Sequence, residues 1–258
     1  MKKILLFILL IACSRCFAQS EVGERAELNH TIGVAVGATN ILDTYLSPEE
    51  YTGEELRLLF DIRSPRGEWH HLFHNELSLS RVQNRAETAT ELAGMYRFRY
   101  ALEHHLNLLS SVENLNIRVG GHATANLGFL YNMRNGNNPA QGKLGLNVGP
   151  IVHADYSFRL FRKRFNAHYE ALTPLLGLMF SPNYGQSYYE IFSRGNYDHN
   201  CVPTTIFSTP SLRHQLTLEV HIGKKALSIG YLGDYDQYKV NNLKYHNYTH
   251  AVIIGLTY

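Results

Sequence analysis

The closing segment Tyr248–Tyr258 constrains the fold more than any other stretch of this chain. Tyr248, His250, Val252, Ile254, Leu256 and Tyr258 share one face of a strand, and Thr249, Ala251, Ile253, Gly255 and Thr257 share the other. An alternating, largely apolar strand that ends on an aromatic residue is the expected last strand of a transmembrane β-barrel. Its hydrogen-bonding edge stays open until it meets the first strand, so closing the barrel is what satisfies it. A strand of this kind is also expected to engage the barrel assembly machinery.

The start of the chain agrees. Lys2 and Lys3 precede the apolar run Ile4 to Ala12, followed by Cys16-Phe17-Ala18 and Gln19. A basic n-region, a short h-region and small residues at a cleavage site make residues 1–18 a signal peptide, cut after Ala18. The h-region is too short for a spanning helix, which needs about 20 apolar residues. Leu10-Ile11-Ala12-Cys13 leaves a second option, a lipoprotein signal acylated at Cys13. Removing Lys2, Lys3 and Arg15 takes Lys+Arg from 24 to 21 against 22 Asp+Glu. A nearly neutral mature chain gives no case for nucleic acid as a partner. Cys13 and Cys16 leave as well, so Cys201 stands alone and no intramolecular disulfide is expected.

Period-2 segments recur at 28–37, 54–63, 68–81, 94–112, 117–131, 143–160, 165–180, 211–222, 225–236 and 245–258. In the sixth, Leu144, Leu146, Val148, Val152, Ala154, Tyr156, Phe158 and Leu160 back onto Asn147, His153, Asp155, Ser157 and Arg159. Such a pattern suits a soluble sandwich or a barrel with an apolar outside and a polar lumen. The connections separate the two. Long ones (38–53, about 82–93, 132–142, 181–210, 237–244) alternate with short ones (64–67, 113–116, 161–164, 223–224). Long extracellular loops and short periplasmic turns are the asymmetry of an outer-membrane barrel. A twelve-strand variant needs a turn at Glu103-His104-His105 and would carry 181–210 to the wrong side. Tyr96, Phe98, Tyr100, Tyr131, Tyr156, Phe158, Tyr231 and Tyr258 fit interfacial girdles, where an apolar ring keeps a wet polar tip.

The fold expected is therefore all-β: an antiparallel up-and-down transmembrane β-barrel of about ten strands. Residues 19–27 form a periplasmic N-terminal segment and 28–258 the barrel. The implied location is the outer membrane of a Gram-negative bacterium, with outer-membrane lipid as the surrounding partner.

The inward positions carry Arg57, Asp61, Arg63, Glu76, Arg97, Arg99, Glu103, Arg118, Asp155, Arg159, Arg213 and Glu219, with His74, His122, His153 and His221. A ten-strand lumen is little wider than one that side chains fill, so these charges should pair and plug it. A selective path for a small solute or ion is the competing reading. No metal or cofactor is expected. Adjacent residues of His70-His71 and His104-His105 point to opposite faces, and His246 and His250 stand about 13 Å apart at strand rise. Candidate acids and bases for rim catalysis are Asp43, Asp198, His199, Asp234 and Asp236. An Asp/His pair with a second carboxylate pair there could activate water, although no known protease motif matches. Ser187, Tyr188 and Glu190 lack a histidine at a suitable offset, and His168 with Glu170 falls near the periplasmic end.

Four loop segments are more specific than filler: Thr44 to Gly53, the turn-rich Tyr131-Asn132-Met133-Arg134-Asn135-Gly136-Asn137-Asn138-Pro139-Ala140, Ser181 to Glu190, and Gly230-Tyr231-Leu232-Gly233. With them, most of the mature chain resembles an uncharacterised, domain-of-unknown-function family of Gram-negative outer-membrane β-barrels of about this length. That resemblance implies a signal peptide, a barrel and the outer membrane, and assigns no catalytic or binding residue. The sequence thus favours a non-enzymatic membrane protein with a filled lumen and loops able to bind a surface ligand. A narrow pore and a rim hydrolase acting on lipid or peptide are the alternatives.

Overall fold

The computed structural model describes residues 28–106, 113–223 and 225–258. The expected signal peptide at 1–18, with Cys13, and the expected periplasmic segment 19–27 lie outside the described residues. The strands are β1 (Asn29–Asp43), β2 (Glu50–Arg66), β3 (Trp69–Asn84), β4 (Thr90–His105), β5 (Leu115–Asn132), β6 (Ala140–Leu160), β7 (Lys163–Leu172), β8 (Leu176–Phe180), β9 (Cys201–Thr205), β10 (Leu212–Ile222), β11 (Lys225–Val240) and β12 (Leu243–Thr257). One short helix, α1 (Tyr188–Phe192), lies between β8 and β9. Neighbours pair antiparallel from β1 to β7, then β7–β10–β11–β12. β12 closes on β1 from Thr31↔Thr257 to Asp43↔Tyr245. The closing strand is hydrogen-bonded on both edges, by β1 and by β11. No free edge is left along it, which is what a barrel provides and an open sheet does not.

The barrel has ten staves although twelve strand segments are present. β7 and β8 form one interrupted stave, and β9 and β10 form the next. Between Leu172↔Ile151 and Leu176↔Val148 the β7–β8 side carries one residue more than β6, which is a bulge at Thr173-Pro174-Leu175. Pro174 has no N–H to give the ladder, and Thr173 is held by its hydroxyl donating to Ser211 O at 2.7 Å. The extra pair of segments therefore arises here and not from a turn at Glu103-His104-His105, which stays within β4. The bulge requires a glycine opposite it. A Cβ on Gly149 would sit 1.9 Å from Thr173 O. Gly149→Ala is expected to cost about 1–3 kcal/mol of overpacking, read as a lower urea midpoint for the heat-modifiable form on a detergent gel.

Outward and inward faces obey two rules along the barrel. Through the middle and the end that carries Asn29 and Thr257, outward positions are exposed and apolar: Val34, Val36, Leu56, Leu58, Leu77, Leu79, Leu146, Leu218, Ile229 and Ile254. Inward positions there are mostly polar or charged. Toward the opposite, far end the pattern inverts. Ile41, Leu46, Tyr51, Val82, Ala89, Leu130, Tyr238, Val240 and Tyr245 form a buried core inside the barrel, while Glu50, Thr52, Glu54 and Arg81 are exposed outside. A sheet that is apolar inside and polar outside is built for water on its outer face. The far end thus projects beyond the apolar belt.

That inversion corrects several expected boundaries. The stretches 38–53 and 237–244 are not long loops. β1 and β2 run to Asp43 and from Glu50, and β11 turns into β12 through Asn241-Asn242 alone, both at positive φ. Asparagine tolerates this left-handed conformation, so a two-residue hairpin forms there. At the other end, β4 ends at His105 and β5 begins at Leu115, and the part of the expected strand at 107–112 lies outside the described residues. Long connections survive mainly at 181–200.

Tyr96, Phe98, Tyr131, Tyr156, Tyr231 and Tyr258 are exposed on the outward face, but Tyr96 and Phe98 lie mid-strand in β4 and not at an end. The upper belt is fuller than expected. His214 lies over Gly233, where a Cβ would meet its Nε2 at 2.4 Å. Its ring contacts those of Tyr169, Tyr231 and Tyr235, and His250 joins Tyr231 through a 2.5 Å hydrogen bond.

Candidate functional site

Inward side chains of five strands converge at the middle of the barrel. Arg57 on β2 contacts Glu55 at 2.5 Å, Glu76 at 3.1 Å and Asp234 at 2.5 Å. Arg97 on β4 reaches Glu76 at 3.2 Å and Asp234 at 2.9 Å. Arg213 on β10 binds Glu76 at 2.6 Å and Asp234 at 3.2 Å. Three guanidiniums therefore face Glu55, Glu76 and Asp234, drawn from opposite walls. The planar fork of arginine suits this shared bidentate geometry. Balanced charge allows the group to stay buried, because an uncompensated charge away from water is strongly disfavoured.

A second network runs from this cluster toward the end that carries Thr257. Arg99 holds Glu170 at 2.6 Å, and His153 lies 2.8 Å from Glu170 and 2.9 Å from Glu103. Arg118 joins Glu103 to Asp155, and His168 joins Asp155 to Glu219, which accepts from Thr257. His168 Nδ1 and Nε2 face carboxylates at 2.5 and 3.1 Å, so both nitrogens must donate for both contacts to be hydrogen bonds. His74 bridges Asp61 and Glu76 beside the central cluster. On the far-end side, Lys143 donates to Asp43 at 2.6 Å and to Tyr238 at 2.5 Å, with its ammonium 3.8 Å from the centre of the Tyr245 ring.

Two adjoining cavities of about 50 and 80 Å³ share Asn126, Asn147, Pro174, Ser211 and Asp236. Each has room for a few waters. The apolar far-end core lies on one side of them and the chain of ion pairs on the other.

The expected interior residues lie inside, with one correction. Arg159 is exposed at the barrel's end, past the last ion pair of the lumen. Asp43, Asp234 and Asp236, expected at the rim, are inside the barrel: Asp43 on Lys143, Asp234 among three arginines, and Asp236 accepting from Ser211 at 3.1 Å. Asp198 and His199 do pair with each other at 2.6 Å, on the exposed loop before β9. They are not brought together with Asp234 or Asp236. Glu55 and Lys143 were missed as lumenal groups, although each shares strand parity with predicted neighbours, Arg57 and His153.

The far-end loop is ordered by its own side chains. Ser187 caps α1, accepting from Glu190 N, while Glu190 reaches back to Ser187 N, a capping box. Hydrogen bonds from the Ser187 backbone and hydroxyl hold the Glu190 carboxyl below its ordinary range. Ser187 is thereby occupied in folding the turn. Burial pushes the Tyr188 hydroxyl up to about 12, and it accepts from Gly142 N at 2.6 Å. Burial, then Tyr188 and Asp43, raises Tyr45, whose hydroxyl donates to Gln186 O. These contacts lay the loop across the mouth and leave Tyr184, Tyr189, Phe192 and Tyr197 exposed. Among the described residues, no cluster of three or more metal-ligating side chains occurs.

A family model matches residues 3–258, the one described as Protein of unknown function (DUF3316). The chain belongs to this family. No curated protein matches it. Solved structures similar in form include the outer membrane protease OmpT from Escherichia coli, at 8% identity and TM-score 0.49 over 93% of this chain and 99% of that one. Others are the transport unit of the autotransporter AIDA-I from Escherichia coli, at 5% identity and TM-score 0.45 over 97% and 96%, and the translocator domain of NalP from Neisseria meningitidis, at 10% identity and TM-score 0.38 over 100% and 95%. These likenesses assign no residue a role.

Proposed function

We infer that this protein is a non-conducting outer-membrane barrel that works from its surface. The observation that carries this reading is the buried cluster of Arg57, Arg97 and Arg213 on Glu76 and Asp234, which spans the lumen from wall to wall. The apolar outward belt suits a bilayer, since a closed barrel satisfies its backbone internally. The far end, water-adapted outside and capped by the 181–200 loop, faces the extracellular side. Both ends of the barrel chain then face the periplasm. Exposed Tyr184, Tyr189, Phe192 and Tyr197, with Arg194 5.5 Å from the Tyr189 ring, make a contact surface of the amphipathic kind that recognises partners.

Reconstituted into planar bilayers, the protein is expected to give no stable single-channel steps. Reproducible steps from the wild type would sink the filled-lumen reading and restore the pore. The recognition half is tested on arrays of glycans and extracellular proteins, where Tyr189→Ala with Phe192→Ala is expected to lose any ligand the wild type retains. Retention of that ligand by the double variant would move recognition off this loop.

A further inference from the structure

The β6–β7 turn at the periplasmic end departs from the rest of the barrel. Phe161 and Arg162 are its two central residues, at φ 50 and 63, the type I′ geometry for which asparagine and glycine are the ordinary choices. The same chain uses Asn241-Asn242 for the equivalent turn at the other end. A bulky aromatic and an arginine are thus held in a conformation that disfavours both. Phe161 makes no use of the protein in return, being 86% exposed.

The flanks are equally unfavourable for folding alone. Arg159 stands directly across the ladder from Arg164, a like-charge pair that destabilises a sheet. Arg159, Arg162, Lys163 and Arg164 are all exposed, none has a carboxylate of the described residues within 4 Å, and Arg159 and Arg164 take the inward parity while Lys163 faces outward. The neighbouring β10–β11 turn adds exposed Lys225. Just above this basic tip, Tyr156 and Phe158 stack on the outward face, and Phe158 stacks on Phe165. The sequence therefore runs from an aromatic membrane boundary into Leu160, Phe161 and four cations within one hairpin.

We propose that this hairpin binds anionic phospholipid headgroups of the inner leaflet, with Phe161 seated at the acyl boundary and Arg162, Lys163 and the neighbouring Lys225 on phosphate. Charge complementarity and continuity with the aromatic band select this occupant. Side chains that oppose the local fold are explained if they serve a ligand. The proposal rests on the membrane reading given above.

The full-length protein in dodecyl maltoside micelles, titrated with dioleoylphosphatidylglycerol or dioleoylphosphatidylcholine and followed by native mass spectrometry, tests it. The wild type is expected to prefer the anionic lipid. Two variants remove the site without harming the fold: Phe161→Asn with Arg162→Gly relaxes the turn, and Lys163→Gln with Lys225→Gln removes the two outward-facing cations. Each is expected to weaken phosphatidylglycerol binding, by about fivefold for every cation removed, while its urea midpoint holds or rises. Equal binding of the two lipids, or full binding by both variants, overturns the proposal. Wild-type binding to peptidoglycan fragments that the variants lose, without phosphatidylglycerol preference, overturns it in favour of the cell-wall polymer. A protein without heat-modifiable migration would instead sink the membrane reading, a result that is read before any lipid is added.

Discussion

Glu76→Gln is expected to be among the most destabilising single substitutions in the barrel, at about 3–5 kcal/mol. Glu76 is 2% exposed and lies within ion-pair distance of Arg57, Arg97 and Arg213. Glutamine keeps the volume but leaves three guanidiniums on Glu55 and Asp234 alone. Neither of the two cavities is lined by Glu76, so the arginines gain no solvated space at the lost carboxylate. The effect is read as the urea midpoint for refolding into vesicles, scored by the gel shift between folded and boiled forms. A double-mutant cycle makes the cause specific. Arg213→Gln in the Glu76→Gln background restores charge balance, so the pair should cost less than the sum of the singles, with a coupling of about 0.5–3 kcal/mol. Additive losses would mean that Glu76 contributes by packing, and the electrostatic account would fail.

The barrel was legible wherever the outward face is apolar and charge lines the lumen. Leu144 to Leu160 against Asn147 to Arg159 is such a stretch, and its alternation gives the faces of β6, with Arg159 exposed because its inward position lies past the last ion pair. The closing strand Tyr248–Tyr258 likewise meets β1 as its open edge requires. Legibility failed at the far end, where the solvent changes. Ile41, Tyr51, Tyr238 and Tyr245 point inward there, and their polar neighbours Glu50, Thr52 and Glu54 point out. A period-2 pattern is still present but with its sign reversed, so a reading tuned to one sign sees loops. Asp43, Asp234 and Asp236 were assigned to a rim for the same reason. Their strands extend beyond the point at which the apolar outward face stops. The bulge at Thr173-Pro174-Leu175 had a local signal in Pro174, but the loop 206–211 that breaks the next stave is set by register, which one strand alone does not reveal.

The second large effect concerns conduction, and it depends on how many layers block the lumen. Three stand in series: the far-end core with Lys143, Tyr238 and Tyr245, the central arginine cluster, and the lower chain from Arg99 to Glu219. Resistances in series are dominated by the largest, so clearing one layer should open nothing. A charge-balanced change such as Glu76→Ser with Arg213→Ser is expected to leave planar bilayers silent. Clearing a balanced pair from each layer is expected to admit water throughout and give discrete conductance steps. The pairs are Asp43→Ser with Lys143→Ser, Glu76→Ser with Arg213→Ser, and Glu103→Ser with Arg118→Ser. Each pair removes opposite charges together, which spares the penalty of a lone buried ion. Steps from a single-layer variant would show that one constriction controls the lumen. Silence from a folded three-layer variant would show that apolar packing, and not the paired charges, is the barrier.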